Sequence, residues 1–136
     1  AASTRSKFVN LSARAVVGPD EQLMIGGFSV AGTGSKRLLI RAMGPHLAEF
    51  GVRAALADPA LVVHGSDGTE IAANDNWAST LAASFEVAGA VALPAGSRDA
   101  AVVVTLTAGD TYTVIVRSAS GATGEALLEI YELPPE

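Results

Sequence analysis

The sequence predicts an all-β fold: an antiparallel β-sandwich of about eight strands, with one or two short helices. Three observations carry that expectation. Apolar and polar residues alternate with a period of two in many short stretches, the pattern of half-buried strands. Gly, Pro, Asn and Asp punctuate those stretches at the close intervals of sandwiches and barrels. The apolar share is 49% with only 5% aromatic, and a core of Ala, Val and Leu suits closely spaced sheets better than a thick helical bundle. At 136 residues the chain fits one domain with a real core of its own.

Residues 1–7 are small and polar and read as a tail, which leaves 8–136 for the sandwich. Val9, Leu11, Ala13, Ala15 and Val17 fall on one side of an extended chain, with Asn10, Ser12 and Arg14 on the other. Gly18-Pro19-Asp20 turns the chain. Gln22 to Val30 is a second strand, and the paired Gly26-Gly27 inside it suggests a bulge or a close backbone approach. Ala31 to Ser35 is a glycine turn. In the third strand, Lys36 to Met43, Leu38, Ile40 and Ala42 point one way and Arg37 and Arg41 the other. Leu39 breaks that alternation, so both faces of this strand are expected to be covered. Pro45 is suited to the first position of a short helix through Phe50.

Ala60 to His64 and Thr69 to Ala73 form a hairpin around Gly65-Ser66-Asp67-Gly68. Residues 78–88 are Ala-rich and predict one or two helical turns. The last third holds three strands, Ala100 to Leu106, Thr111 to Ser118 and Glu125 to Leu133. Tyr112, Val114 and Val116 alternate cleanly with Thr111, Thr113, Ile115 and Arg117.

Charge and composition exclude several classes. Nine basic residues against 14 acidic ones give a net charge of -5. The seven arginines are scattered from Arg5 to Arg117, with no basic stripe for nucleic acid. The negative balance disfavours anionic lipid, and no apolar run approaches the ~20 residues of a membrane span. Cysteine is absent, which removes thiol chemistry and Cys-ligated zinc. Nothing calls for a cofactor. The start Ala1-Ala2-Ser3 would suit a mature end left by cleavage of a secretory signal.

Several runs resemble a module of large bacterial secreted and surface proteins. They are Leu38-Leu39-Ile40-Arg41-Ala42-Met43-Gly44-Pro45, Asp58-Pro59-Ala60-Leu61-Val62-Val63, Asp67-Gly68-Thr69-Glu70-Ile71-Ala72 and Asn74-Asp75-Asn76-Trp77. Leu93-Pro94-Ala95-Gly96-Ser97-Arg98-Asp99-Ala100 and the closing run Thr123 to Glu132 belong with them. Such modules recur in Verrucomicrobia-type bacteria and are similar in layout to pre-peptidase C-terminal domains, small jelly-roll-like sandwiches. The resemblance spans about Val9 to Glu132 and implies an extracellular accessory, adhesive or structural role with no known catalytic residues.

The candidate sites are few. Asp67, Asn74, Asp75 and Asn76 offer the hard oxygen ligands that calcium prefers. The competing reading, that they shape turns and satisfy loop backbone, weighs more. His46 and His64 are the only histidines, and Gly27-Phe28-Ser29-Val30-Ala31 lacks the last glycine of a nucleophile elbow. Gly32-Thr33-Gly34-Ser35-Lys36 lacks phosphate-loop spacing. Asn10-Leu11-Ser12 matches a glycosylation sequon inside an expected strand. Trp77 could stack on a sugar ring but is weighted towards a core plug.

The functional expectation is a non-catalytic extracellular structural or adhesive module. Its partners would be copies of itself or neighbouring surface-protein domains. An N-terminal arm of Phe8, Val9, Leu11, Ala13, Ala15 and Val17 would complete a neighbour's sheet by strand addition and build a fibre. The alternative is a monomeric accessory domain that binds glycan or another surface.

Overall fold

The computed structural model describes residues 10–134. Eight strands follow one another: β1 (Asn10–Val17), β2 (Met24–Ser29), β3 (Ser35–Met43), β4 (Pro59–His64), β5 (Glu70–Asn74), β6 (Ala100–Thr107), β7 (Thr111–Ser118) and β8 (Gly124–Leu133). A 3₁₀ turn, Pro45–Phe50, follows β3, and a second one, Ser79–Leu81, leads into the single α-helix α1 (Ala82–Ala88). Sheet A has the order β1-β8-β3-β6 and sheet B the order β2-β7-β4-β5, with every named pairing antiparallel. That order, with each strand's successor in the opposite sheet over β1–β4, is a jelly roll of two four-stranded sheets.

The main core lies between the sheets. Alternation puts Tyr112, Val114 and Val116 of β7 inside, where they meet Leu38, Ile40 and Ala42 of β3 and Val102, Val104 and Leu106 of β6. Leu61 and Val63 of β4 and Ala126 and Leu128 of β8 complete it. Of the two readings for Gly26-Gly27, close approach holds at Gly26, where a Cβ would sit 3.1 Å from Leu128 Cδ2. The β2–β7 register runs without a shift, and the irregularity falls between Val63 and His64 instead.

The β3–β4 connection crosses from one sheet to the other in a narrow channel. Leu56 N donates to Glu125 O and Glu125 N to Ala54 O. A Cβ on Gly44 would lie 2.2 Å from Leu56 O, and one on Gly124 would lie 2.6 Å from Leu56 N. Only glycine lets the chain close around Leu56, which is fully buried.

Leu39 explains itself here. It opens a second apolar cluster on the outer face of sheet A, with Met43, Leu47, Trp77, Phe85, Leu93, Ala101, Tyr131 and Leu133. The segments after β3 and between β5 and β6 fold over that face as a roof. Strands β3 and β8 are therefore covered on both sides.

Candidate functional site

The two outer faces of the sandwich are built for different purposes. On sheet A, Arg41 of β3 and Glu129 of β8 stand opposite each other in the register. Arg41 is 0% exposed. Its Nε and Nη2 donate to Glu129 Oε1 at 2.9 and 2.6 Å, and Nη1 donates to Val91 O at 2.5 Å in the roof. Its guanidinium also lies over the Phe85 ring, 4.9 Å from the centroid. Tyr131 donates its hydroxyl to Glu129 Oε2. Burial first, and then the Glu129 carboxylate, pushes the Tyr131 phenol up to about 12, so it stays a donor. Every arm of this buried pair is occupied by protein, which is what a buried charge requires.

Asp99, 0% exposed, ties the roof down at its end. Its Oδ1 accepts from Gly44 N at 2.7 Å and His46 N at 3.3 Å, and its Oδ2 accepts from Ser97 Oγ at 2.7 Å. Trp77 Nε1 donates to Ser97 Oγ and Pro94 O. Over β3 and β8 the outer face of sheet A is filled by this roof, and Ser12, Arg14 and Val16 of β1 and Thr105 of β6 stand exposed beside it.

Sheet B presents its outer face bare. Cross-strand rows can be read from the register: Ser29 beside Thr111, then Gly27, Thr113 and His64, then Ile25, Ile115, Val62 and Ala73. Ile25 is 64% exposed. Charges stand only at the margins, as Glu70 on the β5 edge and Arg117 near the end of β7. A shallow groove of about 650 Å³ runs over the polar end, lined by Gly27, Ser29, Thr111, Thr113, His64 and Ser66. Hydroxyls both donate and accept. A floor of hydroxyls beside a strip of aliphatic side chains fits a neutral polar polymer better than an ion.

The sequence-based candidates are dispersed. Asp67 and the run Asn74–Asn76 lie at opposite ends of β5. Asp67 Oδ1 accepts from Thr69 N, which holds its carboxyl below the usual range. Asn74 Oδ1 accepts from Ala101 N, and its amide donates to Asn76 O. No group of three His, Asp or Glu side chains poised for a metal ion exists among the described residues. Within the proposed calcium set, the side-chain oxygens of Asp67 and Asn74 accept from backbone amides, and Asp75 stands beside Asp58. Trp77 is 8% exposed and packs on Phe85 at 5.0 Å between centroids. The stacking role is corrected to a plug in the roof.

His46 sits in the turn after β3, with Nδ1 3.1 Å from Glu49 Oε2. His64 ends β4 in the other sheet, with Nδ1 3.0 Å from Gly68 O. The fold does not bring them together. Of the arm residues, Phe8 and Val9 lie outside the described residues. Leu11, Ala13, Ala15 and Val17 belong to β1, which pairs with β8 of its own chain.

One acidic pair escaped the sequence. Asp58 Oδ1 is buried without a donor, beside Asp75, with Arg98 Nη1 3.9 Å from its other oxygen. Burial first, then Asp75, raises its pKa, and Arg98 and Arg117 pull it back. Residues 17 apart in sequence gave no spacing signal for this contact.

No family profile and no curated protein matches the chain. Among solved structures, a family GH115 4-O-methyl-α-glucuronidase with specificity for decorated arabinogalactans aligns over 90% of this chain and 14% of its own. Its TM-score is only 0.40, at 10% identity. The pre-peptidase C-terminal domain of a collagenase from Bacillus anthracis aligns over 90% of this chain and 89% of its own, with a TM-score of 0.56 and 14% identity. The chain thus shares the fold of a pre-peptidase C-terminal domain, the layout that its strand-end motifs resemble.

Proposed function

We propose that the chain is a non-catalytic extracellular accessory module that attaches a larger protein to a neutral polymer surface, glycan or protein, through the outer face of sheet B. The observation that carries this reading is the contrast between the faces. Over β3 and β8 the outer face of sheet A is roofed, with Arg41 fully engaged beneath it, while sheet B leaves three strands of hydroxyl and aliphatic side chains uncovered. A similar fold in a domain of a collagenase supports an accessory role, although fold alone does not assign one.

The pairing of β1 with β8 favours a module complete in itself. A fibre made by strand exchange would need β1 to leave eight register pairs in its own sheet.

Depletion of the protein from solution by a panel of insoluble neutral polysaccharides and fibrous proteins tests the reading. At least one polymer should remove it, with little dependence on salt because the face carries few charges. Thr113→Glu should abolish that binding and leave the unfolding midpoint in place. No depletion by any neutral polymer, or unchanged binding by the variant, would overturn it.

A further inference from the structure

Each sheet has two edges, and an uncovered edge is a row of backbone donors and acceptors open to another strand. Three of the four are defended. β5 is five residues long, irregular against β4 and headed by Glu70. β6 is capped where Asn74 Oδ1 accepts from Ala101 N. β1 carries Arg14, paired with Glu125 at 2.9 Å. β2 reads Met-Ile-Gly-Gly-Phe-Ser, with no charge, no proline and no register shift.

The direction of the free groups follows from the residue just beyond β2. Val30 N donates to Asp110 O and Val30 O accepts from Gly109 N, both towards the start of β7. Alternation sends the backbone of Phe28, Gly26 and Met24 the same way. The N–H and C=O of Ile25 and Gly27 then face outward, and among the described residues nothing pairs with them.

We infer that this edge pairs with β2 of a second copy of the chain, antiparallel about a twofold axis through Gly26. In that register Ile25 of each copy stands opposite Gly27 of the other, and the two form a mutually hydrogen-bonded pair. The exposed Ile25 side chain lies over Gly27, where a Cβ would find nothing nearer than Tyr112 O at 4.0 Å. A shift of two residues would instead face Gly27 with Gly27 and leave that space empty.

The contact is isologous and closes as a dimer, giving one sheet of eight strands with the two grooves side by side. It does not depend on what the bare face binds.

The chain has no cysteine, which allows a direct test. Opposed residues of a hydrogen-bonded pair have Cα atoms about 5.5 Å apart, within disulfide range. The double variant Ile25→Cys with Gly27→Cys should cross-link on mild oxidation to a dimer and nothing larger. In analytical ultracentrifugation, the unmodified protein should shift from monomer to dimer across the micromolar range. Ile25→Lys should stay monomeric with its unfolding midpoint kept, and Ser12→Lys on β1 should dimerise normally. A monomer at every concentration, a dimer that survives Ile25→Lys, or a ladder of larger cross-linked species would each overturn the inference.

Discussion

The outer face of sheet A and the outer face of sheet B begin from the same strand chemistry and end in opposite states. Both take alternate residues from four antiparallel strands. Sheet A places Leu39, Arg41, Met43, Glu129 and Tyr131 on its outside, side chains too large or too charged to stand half-wet without a partner, and two connections fold over them. Sheet B places Gly27, Thr111, Thr113 and Ala73 there, with Ile25, Ile115 and Val62 in the next row, and no connection covers them. The difference teaches that apolar size alone does not bring a lid: the roofed face is the one that carries the Arg41–Glu129 pair.

The strongest way to break the contrast is to strip the charge from under the roof. Arg41→Ala leaves Glu129 buried without its cation and should cost about 3–5 kcal/mol in urea unfolding, because an orphaned buried charge is costly. Arg41→Met combined with Glu129→Leu should recover most of that loss, since well-packed apolar substitutes for a buried pair are often neutral. If Arg41→Ala alone were neutral, the roof would not rest on this pair.

Asp99→Ala strands the Gly44 and His46 amides and frees Ser97 Oγ. A loss of about 2–3 kcal/mol is expected from the unsatisfied buried donors. Hydrogen exchange at residues 75–98 should quicken more than in sheet B, which separates detachment of the roof from general weakening.

Asp58→Asn sharpens the comparison by pH. The folded-state pKa of Asp58 is raised, so its favourable contribution is present below the unfolded value and lost as pH rises through the folded one. The asparagine variant should therefore gain stability at neutral pH, by about 0.5 kcal/mol or less. The gain should vanish in acid, where Asp58 is protonated in both states. A variant less stable than the parent at pH 7 would mean that attraction to Arg98 and Arg117 outweighs burial.

The smallest effect belongs to the bare face. Thr113→Ala should move stability by no more than about 0.5 kcal/mol, as surface substitutions do. A larger loss in unfolding experiments would show that this face, too, is structural.

Much of the fold was legible because strand alternation is local. Tyr112, Val114 and Val116 announced their burial without reference to any other strand, and Leu39 betrayed a second covered face by breaking the pattern of its own. The partner that Arg41 meets was not legible. Its facing side was visible, but Glu129 lies 88 residues away, and only the β3–β8 register joins them. Trp77 reads in the sequence as a plug, and the structure adds Phe85 and the Ser97–Asp99 relay that hold it. The bare groove on sheet B left no trace in sequence, because Gly27, Thr113 and His64 come from three strands and none of them is unusual alone.

The register of β1 against β8 has a mechanical consequence. Asn10 pairs with Tyr131, so chain attached before β1 and chain attached after β8 would leave the sandwich at one pole. Tension between those attachments would pull across the ladder and peel it from its open end, rung by rung, rather than load all eight rungs at once in shear. A tether threaded through this module would yield at low force by shedding its first strand.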